Sequence, residues 1–147
     1  MRQVRLLNLP SADFVRLHLH VDDLMRELEI IDVGHRAGVA TAPTELRDVM
    51  RRLLLHYAEA REAAWAQAEA ATADGHAALD IEVMLPEEAA DAAVEMVKLF
   101  EQADELSRAG VLLTMPTPPE LLELRRWTTE ELCRQLREDA APCPYPC

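Results

Sequence analysis

The sequence predicts a mainly α fold, an antiparallel four-helix bundle carrying a minor two-stranded β-ribbon. Three observations predict it. Phe14, Leu17, Val21, Leu24, Leu28 and Ile31 are spaced 3, 4, 3, 4 and 3 apart, the apolar stripe of a helix packed on other helices. Three later segments carry seams of the same kind. One stretch, Leu79-Asp80-Ile81-Glu82-Val83, instead alternates apolar and acidic residues with the period of a half-buried strand.

The elements follow in order. Val4 to Leu7 is a short apolar run ended by Pro10, and residues 4–7 read as a strand. Helix 11–33 starts at Ser11, a good N-cap type, and stops at Gly34 and Gly38. The Gly-, Ala- and Thr-bearing stretch 34–42 reads as a mobile loop. Helix 43–73 has Pro43 at an early turn and the seam Leu46, Val49, Leu53, Tyr57, Ala60 and Ala64. At about 45 Å it outreaches its neighbours, so its Ala66–Ala73 end has little to bury. Asp74-Gly75 ends it. A lone strand leaves backbone groups unpaired, so strand 79–83 is expected to pair with strand 4–7. Helix 86–109 opens at Pro86 with Glu87 and Glu88 at its positive end, and its seam is Ala89, Ala93, Met96, Phe100 and Ala103. Helix 118–138 follows Thr117-Pro118-Pro119-Glu120, a capping-box spacing, and carries Leu121, Leu124, Trp127, Leu132 and Leu136. Residues 1–138 form one domain, and 139–147 a Pro-rich flexible tail.

Composition narrows the function. A chain of 147 residues buries about 68–70% of its unfolded surface and needs no metal or disulfide to fold. Twenty-three residues are Ala and six are aromatic, which suits close helix packing. Fourteen of the fifteen bases are Arg, which with the Ala content points to a GC-rich bacterial genome. Net charge is −12, and residues 74–105 hold ten acids against Lys98 alone. That segment repels a phosphate backbone, which argues against nucleic acid. It is a solvated face or a docking face for a basic partner, with Glu87, Glu88, Asp91 and Glu95 as its candidate residues. No apolar run is long enough to span a membrane, and Asn8 and Pro10 interrupt the N-terminus too early for a signal sequence, so a cytoplasmic protein is expected. Of three Cys, Cys133 sits on a helix and Cys143 and Cys147 in the tail, and they define no disulfide framework.

Chemistry is sparse. His18 and His20 point about 200° apart on a helix and cannot chelate one ion, and no Glu lies three residues before any His. His56 and Glu59 read as a surface pair. Ser11 is better spent as a cap than in a triad, and Cys133 has Arg134 but no His beside it. No catalytic residue, metal ligand or cofactor site is expected. Arg125-Arg126-Trp127 stands out in an acidic chain. Trp127 is expected in the core, and Arg125 and Arg126 either bridge acids or anchor a partner. Trp65, beside a run of small residues at the far end of the long helix, is the candidate contact of a homodimer.

Several pieces in order carry a resemblance. They are Leu7-Asn8-Leu9-Pro10; His20 with Asp23-Leu24-Met25-Arg26-Glu27; Asp80-Ile81-Glu82-Val83 ahead of Pro86; Glu101-Gln102-Ala103-Asp104-Glu105 ahead of Leu112-Leu113-Thr114; and Pro118-Pro119-Glu120, Arg125-Arg126-Trp127 and Gln135. Over most of residues 4–138 the chain resembles an actinobacterial helical domain associated with anti-sigma-factor-type ATP-binding proteins and STAS-domain regulators. The tail departs, with Cys143 and Tyr145 where that family tends to place a Trp among prolines. The resemblance implies a regulatory role in partner switching, with a regulatory kinase or antagonist as partner, and no catalytic residue to carry over. The expected function is a non-catalytic regulatory or protein-interaction module; the alternative is a metal-binding or enzymatic helical bundle.

Overall fold

The computed structural model describes residues 1–35 and 42–146. The loop expected between the first two helices lies largely outside them at 36–41, as does Cys147. The chain is mainly helical, with a two-stranded antiparallel sheet. Its order is β1 (Arg2–Pro10), α1 (Ser11–His35), α2 (Ala42–His56), α3 (Ala58–Ala73), β2 (Ala78–Leu85), α4 (Ala89–Arg108) and α5 (Pro119–Glu138).

The ribbon pairs the two segments expected to pair, over a longer reach. Val4 lies opposite Val83, Arg5 opposite Glu82 and Leu6 opposite Ile81. Leu79, Ile81 and Leu85 are buried, as their alternation requires. In β1 the buried residues are Val4, Leu6 and Leu9, so the phase shifts by one residue. An irregularity between Leu6 and Leu9 absorbs the shift, with Asn8 in the left-handed region at φ 57°. It lets β1 bury one face at both ends and run straight into α1.

A free two-stranded ribbon has two open edges. Here two glutamines close them in a single row. Arg5 and Glu82 are opposite residues whose N–H and C=O point outward. On the β1 side Gln135 of α5 accepts from the Arg5 N–H at 3.0 Å and donates to its C=O at 2.7 Å. On the β2 side Gln67 of α3 accepts from the Glu82 N–H at 2.9 Å and donates to its C=O at 2.8 Å. Each carboxamide thus substitutes for a neighbouring strand. Across the ribbon the Arg5 and Glu82 side chains pair at 2.8 Å.

Two hydrophobic clusters result. One joins the ribbon to α3, α4 and α5 through Val4, Leu9, Ala68, Ile81, Ala90, Leu124 and Leu136. The other joins α1, α2 and α4 through Leu24, Leu28, Met50, Leu99 and Phe100, with Leu112 after α4. The helix expected over 43–73 is two helices, broken at Tyr57 with φ −107° and ψ 21°. The break lets α2 pack on α1 and α4 while α3 packs on α1 and β2. A single straight helix could not serve both clusters.

Four local expectations are corrected. The far end of the long helix is not left without a partner, because Ala68 is fully buried and Gln67 holds β2. Ser11 starts α1 without capping it: its hydroxyl is buried with no hydrogen-bond partner, and its N–H donates to the Ala77 carbonyl at 3.0 Å. The Thr117 side chain does not cap α5, whose N-cap is Pro118, because its hydroxyl is engaged elsewhere. The tail is not loose. The Tyr145 N–H donates to the Leu7 carbonyl at 2.8 Å, the Asn8 side chain donates to the Tyr145 carbonyl at 3.0 Å, and the Cys143 N–H donates to Glu131 at 2.9 Å. Tyr145 also stacks edge-on to Trp127 at 5.1 Å. The remaining open edge of β1 is what the tail completes.

Gln135→Ala is expected to cost about 1–3 kcal/mol in urea denaturation, because it leaves shielded backbone groups of Arg5 unpaired. Gln67→Ala is expected to cost less, since Glu82 lies nearer solvent. Ser11→Ala is expected to be neutral or stabilising, whereas a true N-cap would lose about 1 kcal/mol on the same change; thermal unfolding of the variant separates the two.

Candidate functional site

Three features stand out, and each is built by more than one element. The first is an apolar groove of about 300 Å³ where the two hydrophobic clusters meet. The ribbon supplies Leu6, Ile81 and Val83 to it, α1 supplies Phe14 and Leu17, and Met96 and Phe100 come from α4. Its width has a composition cause. Ala60 and Ala64 of α3 and Ala89, Ala92 and Ala93 of α4 line it where larger side chains would fill it. The groove also presents His18, Arg61 and Arg125, and no Asp or Glu among the described residues lines it. A larger hollow of about 540 Å³, at the open end of the ribbon, is more polar and is edged by Glu59 and Glu82. The carboxylate-free groove is the more apolar of the two.

The second feature is a buried polar knot joining α1, α4, α5 and the loop between the last two. Asp104 is 4% exposed and Arg125 7%. One Asp104 oxygen accepts from the Thr117 N–H and from its hydroxyl, both at 2.9 Å, and the other lies 3.6 Å from the Arg125 guanidinium. Arg125 also donates to the Thr117 hydroxyl at 3.4 Å and lies over the Phe100 ring at 4.8 Å. His20 Nε2 stands 3.3 Å from the same hydroxyl. That hydroxyl spends its proton on Asp104, so the imidazole nitrogen facing it donates. Burial pushes the pKa of His20 below the ordinary 6.5, chiefly by desolvation. His18 is lowered for the same reason and stacks on Trp65 at 4.3 Å. Burial thus favours the neutral form of both rings.

The third feature is the loop after α4. The Glu27 carboxylate of α1 accepts from the Leu113 N–H at 2.5 Å and the Thr114 N–H at 2.7 Å. Burial raises the Glu27 pKa, but these hydrogen bonds outweigh it and hold the carboxyl below its ordinary value. The clamp fixes the backbone while the side chains face water: Leu113 is 91% exposed and Met115 75%.

The expected site residues are dispersed. Glu87, Glu88, Asp91 and Glu95 are all exposed, before and along the start of α4, and Asp91 pairs with Arg137. Arg125 is no surface anchor, because it is buried against Asp104. Arg126 is exposed, and Trp127 is half-buried under Tyr145. Trp65 is not a lone exposed ring but is half-buried against His18. His56 is exposed and meets the Tyr57 ring edge-on at 4.7 Å. Among the described residues no three His, Cys, Asp or Glu converge as metal ligands, and no helix is long and apolar enough to cross a membrane.

Asp104, Arg61 and Glu27 are the residues that sequence reasoning passed over. Asp104 lies four residues after Phe100 and Arg61 four after Tyr57, each a charge on an apolar seam. That placement is the signal of a buried or groove-lining ion. Comparison with known proteins adds nothing further: no family model, curated protein or solved structure matches this chain.

Asp104→Ala is expected to cost about 3–5 kcal/mol, because Arg125 is left buried without its counter-ion. Asp104→Leu combined with Arg125→Met is expected to cost less than the sum of the two single changes. A urea-denaturation cycle over the four proteins measures the coupling.

Proposed function

We propose that this chain is a non-catalytic regulatory module that binds another protein. The observation that carries the reading is the clamped apolar tip. Exposed Leu113 and Met115 on a backbone held by Glu27 form a preorganised contact, which loses little entropy on docking. The exposed acids Glu87, Glu88, Asp91 and Glu95 support a partner with a basic surface, steered by long-range attraction. The resemblance to helical domains of anti-sigma-type and STAS-domain systems supports a cytoplasmic partner-switching role, with a regulatory kinase or antagonist on the other side.

Affinity capture from a cytosolic extract identifies the partner, and rates with the purified pair test the reading. Leu113→Ser with Met115→Ser is expected to raise the off-rate and leave the melting temperature unchanged. Glu87→Lys with Glu88→Lys is expected to slow association and flatten its salt dependence, since exposed charges are screened beyond about 8 Å at physiological salt. Unchanged rates in both variants would remove the support for a protein-binding role. The tip is also expected to be pH-sensitive. A carboxyl with a lowered folded pKa contributes stability above its unfolded pKa and loses it as pH falls through the folded one. Acid is therefore expected to lower the protection of the Leu113 and Thr114 amides, read as exchange rates corrected for their intrinsic fall with pH, and Glu27→Gln to do so already at neutral pH.

A further inference from the structure

We propose that the groove between α1, α3, α4 and the ribbon binds a small amphipathic carboxylate, with an apolar chain on the order of ten non-hydrogen atoms and its charged end at Arg61. The proposal goes beyond the protein-binding reading. Its size follows from the groove's volume of about 300 Å³. The apolar body of the ligand follows from a lining made almost wholly of aliphatic and aromatic side chains.

The sign of the charged end follows from the ionisable groups that line the groove. In a chain of net charge −12, three of them are basic, His18, Arg61 and Arg125, the other is the Tyr57 phenol, and no carboxylate among the described residues joins them. Two of the three basic groups are already committed: Arg125 to Asp104 and Thr117, and His18 to the Trp65 ring. Arg61 is held more weakly. Its ion pair is with Asp22 at 3.9 Å, the outer limit for such a contact. Burial lowers the Arg61 pKa, with Asp22 and then Glu62 opposing. A partly desolvated guanidinium with one long ionic contact gains most from a bidentate carboxylate.

The test is calorimetric titration of the whole chain with decanoate, kept below its micelle concentration. Decan-1-ol and decyltrimethylammonium serve as charge controls. Decanoate is expected to saturate at one per chain, and decanol to bind about tenfold more weakly or worse, as is usual for loss of a charged hydrogen bond. Arg61→Gln is expected to reduce decanoate to the affinity of decanol, with Arg61→Lys intermediate. Ala93→Leu, which fills the groove, is expected to abolish binding with no fall in melting temperature; should that variant not fold, Ala64→Leu makes the same test from the opposite wall. No saturable decanoate binding would overturn the proposal, as would equal binding of the cationic amphiphile, or full affinity in the folded filled variant. A dimer in light scattering that Ala93→Leu dissociates would also overturn it, by making a second copy of the chain the occupant.

Discussion

The structure depends on how a two-stranded ribbon is kept from being a pair of open edges. Such a ribbon is marginal alone, because half of its backbone groups face outward. The row Gln135–Arg5–Glu82–Gln67 resolves this with side chains in place of strands. The two carboxamides come from α5 and α3, so satisfying the ribbon also fixes where those helices lie. Gln135 in turn donates to Glu131, which accepts from Arg134 and from the Cys143 N–H. The tail beyond α5 is thereby tied to the network that closes β1.

The groove is a consequence of the same arrangement. With α3 held on β2 and α4 held on α5 and α2, the two Ala-bearing faces flank one space without filling it. The polar knot fixes the other side. Asp104, Thr117 and Arg125 tie α4 to the start of α5, and His20 adds α1. A buried pair of this kind contributes little net stability compared with apolar packing, but it admits few alternative registers. An opening lined with alanine persists only when the elements around it are held from outside, as these are.

Which of the site residues could be read from the chain depends on where their partners lie. Asp104 and Arg61 each interrupt an apolar seam, so their burial was legible to a reader who treats a seam charge as a question. Glu27 was less so, because a glutamate beside a seam is the commonest surface residue of a helix, and what distinguishes it is two N–H groups some 86 residues on. Gln67 and Gln135 carry no local signal, since a glutamine on a helix looks the same whether it meets water or a strand edge. Trp65 misled: it was read for its type as an exposed contact, while its role is set by His18, which stacks on it. Trp127, expected in the core, packs against it with Tyr145 edge-on.

Local periodicity was enough to establish the helical class, the alternating strand at 79–83 and its pairing with the N-terminal run. Those features depend on residues a few positions apart and on the need of every strand for a partner. The division of the long helix at Tyr57, the phase shift at Asn8, the docking of the tail on Leu7 and the groove itself were decided by tertiary structure. Each is a compromise between two surfaces that must both be buried or both be satisfied. The chain carries those surfaces at distant positions, and nothing in the local pattern says how far apart in space they will come to rest.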